Sequence, residues 1–245
     1  MKKTIAALIF VVVTAAAFTQ TPTTAQGFFD RGITYAEKGN YNSAIDDYTQ
    51  AIKLNPNFAE AYFYRAIEYY EKGDVDSAID DCTQALKLNP NYAEAYYFRG
   101  ELYRIFKKDF DRAIADYTQV IRINPNDAEA YNIRGYTYYN NKGDSDRAIA
   151  DYTQVIRVNP NDAEAYINRV MMYDERGDYD RAIADYTQII RLAPSDYDAY
   201  RHRGRMYIEK GDIDKAIADF EASLRIYPHF DDGSLEEYLE SLKLR

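Results

Sequence analysis

Residues 57–90 read NFAEAYFYRAIEYYEKGDVDSAIDDCTQALKLNP, and this stretch decides the fold. Ala59, Tyr62, Ala66 and Tyr69 fall three and four residues apart, as one face of an α-helix requires. Gly73-Asp74 breaks that pattern. A second one starts near Asp76 and carries Ala78, Ile79, Cys82, Ala85 and Leu86 as far as Asn89-Pro90, where the proline lacks an N–H and restricts the residue before it. Helix, tight turn, helix and proline make an antiparallel helical hairpin. The same unit recurs outward in both directions. Pro56, Pro90, Pro125, Pro160, Pro194 and Pro228 lie 34, 35, 35, 34 and 34 residues apart, and each closes a near copy. A two-helix unit of this size cannot bury its apolar faces alone, so neighbouring copies must stack and share a core. The expected architecture is therefore an all-α solenoid with repeats at 26–56, 57–90, 91–125, 126–160, 161–194 and 195–228. Asn57, Asn91, Asn126 and Asn161 stand three residues before Glu60, Glu94, Glu129 and Glu164, the spacing of a capping box at the start of each first helix.

At these positions the chain resembles the tetratricopeptide repeat family. The family pattern is met by Tyr62, Ala66, Tyr69, Ala78, Ala85 and Pro90 in the second copy, by Phe28, Gly32, Tyr35, Ala44, Tyr48, Ala51 and Pro56 in the first, and by Tyr200, Gly204, Tyr207, Ala216, Phe220 and Pro228 in the sixth. The resemblance spans residues 26 to 228 and implies a right-handed superhelical solenoid of helix-turn-helix repeats. Two departures stand out. The third and fourth copies carry one extra residue, expected in the hairpin turn around Lys107-Lys108-Asp109 and Asn141-Lys142-Gly143, and Val170 stands where the other copies have Gly or Ala. A β-branched side chain at a close helix contact should push the fifth hairpin slightly apart or be absorbed by its neighbours. After the last repeat, Ser234-Leu235-Glu236-Glu237 has capping-box form, and Leu235, Tyr238, Leu239 and Leu242 share one face, so residues 229–245 are expected to supply a C-terminal capping helix.

Composition narrows the function. Of 26 Tyr, 15 occupy the three aromatic packing sites of the repeats, so most Tyr are structural. Cys82 replaces the aromatic of a second helix and reads as a buried small hydrophobe; a lone cysteine rules out a disulfide framework and zinc-ribbon spacing. Lys2-Lys3 precede 15 uncharged residues, Thr4 to Phe18, and then Thr23-Thr24-Ala25. Residues 1–25 are thus expected to be an export signal cut after Ala25 or after Ala17, because the apolar run falls short of the about 20 residues that span a bilayer. The run resembles bacterial signal peptides, which implies a periplasmic or secreted mature protein without membrane insertion. The formal charge of −10 is spread along every repeat, so nucleic acid is not an expected partner: affinity there comes from clustered Lys and Arg. His202 and His229 are isolated, and no nucleophile triad, phosphate loop or metal-ligand spacing occurs. No enzyme activity, cofactor or metal is expected.

Two charges repeat in all six copies. Arg31, Arg65, Arg99, Arg134, Arg169 and Arg203 precede the small residue of each first helix, and Asp47, Asp81, Asp116, Asp151, Asp185 and Asp219 precede the aromatic position of each second helix. A role common to all copies is expected, namely an Arg–Asp ladder within or between repeats that sets register, rather than an anion-binding track.

Function should then lie where the copies differ. One step round from the packing residues, the first helices present Phe63, Ile67 and Tyr70; Tyr97 and Arg104; Tyr136 and Tyr139; Met171; and Arg201 and Arg205. In tetratricopeptide arrays this side lines a concave groove, so the resemblance implies that these ten residues meet a protein or peptide partner. The groove is expected to be apolar and aromatic in its first half, mixed in the centre and basic near the carboxyl end. Ile33, Ile67 and Ile167 have the alternative of packing against the adjacent hairpin. The Lys-and-Asn pattern of a carboxylate clamp is absent: Phe63, Tyr97, Asn132 and Ile167 occupy the first groove site. The expected protein is an exported, non-enzymatic interaction scaffold; a self-assembling homo-oligomer and an accessory binder of envelope polysaccharide are the alternatives.

Overall fold

The computed structural model describes residues 22–228 and 234–244; the expected export signal lies outside the described residues as far as residue 21. The described residues contain α-helices and no strand, and they divide into two compact units, one ending at Asp109 and the other beginning at Phe110. The first unit holds α1 (Ala25–Glu37), α2 (Tyr41–Leu54), α3 (Ala59–Glu71), α4 (Val75–Leu88) and α5 (Ala93–Leu102), which continues into a π-helical stretch, Tyr103–Lys107. The second holds α6 (Phe110–Ile123), α7 (Ala128–Lys142), α8 (Ser145–Val158), α9 (Ala163–Glu175), α10 (Tyr179–Leu192), α11 (Tyr197–Glu209), α12 (Ile213–Ile226) and α13 (Ser234–Lys243). Within each unit every helix packs on the next. The pairs α1/α2, α3/α4, α7/α8, α9/α10 and α11/α12 are the hairpins read from the sequence, and the unit boundary falls inside the third repeat.

A glycine against an aromatic closes the first, fourth and sixth hairpins. A Cβ on Gly32 would lie 2.5 Å from the Tyr48 ring, and one on Gly204 would lie 2.8 Å from Phe220, so the glycines are what let these helices approach. Cys82 holds the aromatic's place in α4 and is fully buried. Val170 is buried as well, the accommodated outcome, and Tyr186 is 8 % exposed against 0–1 % for Tyr48, Tyr117, Tyr152 and Phe220.

The hairpin turns show how one inserted residue is absorbed. In the 34-residue copies the amide of Asn40, Asp74, Asp178 or Asp212 donates to the carbonyl of Tyr35, Tyr69, Tyr173 or Tyr207, five residues back. In the third and fourth copies the same bond spans six residues, from Asp109 to Tyr103 at 3.0 Å and from Asp144 to Tyr138 at 2.9 Å. The third insertion is taken up inside the helix as the π stretch, with Lys108 left-handed at φ 54°, whereas the fourth lengthens α7 and ends it on Gly143 at φ 65°. The extra residue expected in each hairpin turn is thus taken up within the first helix instead.

The capping expectation also shifts by one residue. The first helices begin after Phe58, Tyr92, Asp127 and Asp162, not after the asparagines. Asp127 and Asp162 accept from the amides of Ala130 and Ala165, at 2.9 and 3.0 Å. Asn57, Asn91, Asn126 and Asn161 instead donate their own amides to the side chains of Asn55, Asn89, Asn124 and Asn159, forming Asx turns around the proline. The box expected at 234–237 rests on the Ser234 side chain, which lies outside the described residues; α13 itself buries Leu235, Leu239 and Leu242 against Ala216 and Phe220.

The Arg–Asp ladder runs within repeats. Arg65 grips Asp81 by two parallel bonds, Nε–Oδ2 at 2.7 Å and Nη2–Oδ1 at 2.8 Å, and the same fork joins Arg31 to Asp47, Arg134 to Asp151, Arg169 to Asp185 and Arg203 to Asp219. The remaining nitrogen, Nη1, reaches back into the preceding repeat, donating from Arg65 to Thr49, from Arg99 to Thr83, from Arg134 to Thr118, from Arg169 to Thr153 and from Arg203 to Thr187 at 2.8–3.0 Å. Tyr62 and Tyr69 sandwich the Arg65 guanidinium at 5.6 and 5.7 Å. One side chain therefore ties helix to helix and repeat to repeat. Where that threonine's phase reaches the sixth copy, Glu221 replaces it and pairs with Lys243 of α13 at 3.1 Å. A second, exposed set of pairs links successive repeats: Lys107–Asp76, Lys142–Asp111, Arg176–Asp146 and Lys210–Asp180.

Candidate partner-binding surface

In the first unit the candidate residues are half-buried. Phe63, Ile67 and Tyr70 on α3 pack on the cluster that contains Phe98 and Leu102 of α5. The Phe63 ring stands edge-on to Phe98 at 6.1 Å and 4.8 Å from Tyr92, and Tyr70 stands edge-on to Phe98 at 5.5 Å and to Phe106 at 5.7 Å. These rings join α3 to α5, as apolar side chains facing an adjacent hairpin must. Phe106, in the π stretch, is the exposed member of the group. Tyr97 is half-buried, and Arg104 is held in a fork by Glu101 at 3.0 and 2.8 Å.

The second unit presents its candidates differently. Tyr136, Ile167 and Met171 are 45, 42 and 47 % exposed, and Ile167 and Met171 lie one turn apart on α9. Tyr139 on α7 donates its hydroxyl to Glu175 on α9. Arg201 on α11 donates to Asp198 at 2.6 Å, and Arg205, one turn further, is exposed.

Two hollows open beside these residues. The first, of 490 Å³, is lined by Ile167, Val170, Met171, Asp174 and Glu175 of α9, by Tyr186 and Ile189 of α10, by Asp196 and by Asp198, Ala199, Arg201 and His202 of α11. Val170 and Tyr186 are both in it, so the Gly/Ala-to-Val departure contributes to the lining of this hollow. The second, of 550 Å³, is bordered by Asp174, Tyr179, Arg201, Arg205, Met206, Ile208, Glu209 and Phe220, with Leu235 and Tyr238 of α13 on its far side. Asp174 and Arg201 belong to both. Met171 and Arg201 are thus brought together at one hollow, and Arg201 and Arg205 at the other.

The electrostatics depart from the sequence expectation. The carboxyl end of the groove was expected to be basic, yet the first hollow sets four carboxylates, Asp174, Glu175, Asp196 and Asp198, against the single guanidinium of Arg201. Asp198, three residues before Arg201, neutralises it through an i,i+3 pair that the stripe reading leaves out. His202 adds no charge at neutral pH: burial lowers its pKa, and Arg201 and Arg205 lower it further. Its ring lies flat on Tyr186 at 5.7 Å, and burial pushes the Tyr186 phenol up to about 12. Sequence reasoning missed Tyr186, Ile189, Asp196, Asp198 and His202, because they lie off the chosen stripe; the available signals were Val170 and a histidine at a position where other copies carry Tyr64, Phe98 or Ile133.

The chain matches the family model described as tetratricopeptide repeat over residues 29–93, 65–108, 139–184 and 168–229, and the model described as TPR repeat over 107–142. No curated protein matches it. Among solved structures it is similar to the MamA protein, with 28 % identity and a TM-score of 0.57 over 69 % of this chain and 91 % of that one. It is also similar to YrrB, described as a TPR protein with an unusual peptide-binding site, with 22 % identity and a TM-score of 0.60 over 79 and 97 % of the two chains. The C-terminal part of a TPR repeat-containing protein from Cytophaga hutchinsonii gives 21 % identity and a TM-score of 0.66 over 88 % of each chain. Six copies of one hairpin signature, the hairpins seen in both units and family matches across most of the chain agree: the chain belongs to the tetratricopeptide repeat family.

Proposed function

We propose that the protein is a non-enzymatic interaction scaffold that holds a protein or peptide partner on the faces of its first helices, chiefly in the second unit. The observation that carries this reading is the exposure of Ile167 and Met171 at a hollow floored largely by apolar side chains. An apolar floor with a few polar groups at the rim is the usual make-up of a binding site, and Tyr, Met and Arg are residue types prominent at interfaces. The fold shared with YrrB is one on which a peptide-binding site is described. Phe63, Ile67 and Tyr70 serve as support in this reading, since their rings already pack against α5. A photo-crosslinking residue at Met171 should capture a partner in the source cells, whereas the same residue at Arg157, exposed on a second helix, should not. Equal capture at both positions, or at neither, defeats the assignment.

Export belongs to the same proposal and rests on the apolar run of residues 4–18. Thr24 bears on the cleavage site: its hydroxyl accepts from the Gly27 amide at 3.0 Å and caps α1, so a cut after Ala25 removes that cap and a cut after Ala17 keeps it. Amino-terminal sequencing of the mature protein distinguishes Phe18 from Gln26 as the first residue, and an uncut chain refutes the export reading.

A further inference from the structure

Resting on the reading above, we propose that the 490 Å³ hollow between α9, α10 and α11 selects a cationic amphipathic peptide segment, in which apolar side chains flanked by Lys or Arg enter between Ile167 and Met171. The floor is formed by Val170, Ile189 and Ala199, which are apolar and almost wholly buried, and by the ring of Tyr186. The rim is acidic. Asp196 is committed to the α11 amide of Ala199, Glu175 to the Tyr139 hydroxyl and Asp198 to Arg201. These bonds fix the carboxylates in place and cancel the charge of only one of them. The Asp174 side chain makes no hydrogen bond or ion pair among the described residues, and it lines both hollows. A ligand with an acidic side chain beside its apolar anchor would face net negative charge from the lining, whereas a Lys or Arg there gains charge-assisted bonds. Hydrophobic anchor and cationic flank are therefore both required, which separates this site from a merely acidic surface.

The probes are three blocked, fluorescein-labelled dodecapeptides: one of alternating Lys and Leu pairs, one with Glu in place of Lys and one with Ser in place of Leu. Fluorescence anisotropy with the intact chain should show saturable binding of the first alone, weakened several-fold by raised salt. Asp174→Lys and Met171→Lys, both at the rim, should each weaken it at least tenfold. Asp80→Lys, the same change of charge at an exposed site on α4, should leave it unaltered. Circular dichroism confirms that the variants fold. Binding of the Glu peptide, equal binding of the Ser peptide, or equal losses at Asp80 and Asp174 overturn the proposal. If Met171 crosslinks a partner that the Lys/Leu peptide fails to displace, the charge inference falls while the groove reading stands; if Met171 crosslinks nothing and no peptide binds, both fall.

Discussion

Replacing Glu68 by Leu should stabilise the first unit, and more so at high pH than at low pH. Glu68 is 4 % exposed on α3, at the position where later copies bury Leu102, Thr137, Met172 and Met206. No cation pairs with it among the described residues. Glu68 acts on Tyr48 of α2, whose hydroxyl is buried without a hydrogen-bond partner, and is itself acted on by Glu71 of its own helix; Tyr64, Glu37 and Asp47, the last held by Arg31, also act on Tyr48. Burial, with a smaller contribution from Glu71, pushes the Glu68 carboxyl from 4.5 up to about 7. The native state then keeps a proton that the unfolded chain has released, so the stability associated with neutral Glu68 is full below 4.5 and is lost as pH rises through 7. At about 1.4 kcal/mol per pH unit the ceiling is about 3 kcal/mol; water at the edge of the site reduces the expected effect to about 1–2 kcal/mol. Urea denaturation of the wild type and of Glu68→Leu at about pH 5.5 and about pH 8 measures it, with hydrogen exchange in α3 as a local readout, because repeat arrays need not unfold in one step. Parallel pH profiles for the two proteins, or a Glu68 carboxyl that titrates near 4.5, would refute the reasoning.

The Arg staple predicts strong and local losses. Arg65→Ala strands the buried Asp81 carboxylate and should cost about 3–5 kcal/mol; Arg65→Lys, which cannot serve Asp81 and Thr49 together, should recover less than half of that, and full recovery in chemical denaturation would disprove the three-way role. Gly204→Ala, whose Cβ would stand 2.8 Å from Phe220, should destabilise by about 1–3 kcal/mol through overpacking, and an unchanged melting curve would show that α11 and α12 can separate freely. Truncation after Pro228 uncovers Ala216 and Phe220 and removes the Glu221–Lys243 pair. Light scattering should then detect association, and a monodisperse, equally stable truncation would exclude a capping role for α13.

Much of this protein is legible in its sequence because the constraint is repeated. Hairpin positions, the turn glycine, the proline stop and the Arg–Asp phase are each written six times or nearly so, and a helix period of 3.6 residues maps such positions onto faces without further information. The terminal helix and the small-against-aromatic contact follow from the same periodicity. Positions that vary between copies carry no such internal check, and it is there that the candidate surface was read only in part: Phe63, Ile67 and Tyr70 share a stripe with Met171, yet their rings are packed against α5 while Met171 is exposed.

Read alone, the repeat period specifies stacked helical hairpins and the charges that recur in them. It does so because local periodicity and chain stereochemistry act over a few residues. Helix packing settles the rest: Arg65, Arg134, Arg169 and Arg203 each bind Asp within their repeat and Thr in the one before, one inserted residue becomes a π stretch and the other a longer helix, and Val170 and Tyr186 line an acid-rimmed hollow. These outcomes depend on distances between side chains about 16 to 35 positions apart in the chain. Burial and competing partners select among them once the helices have packed.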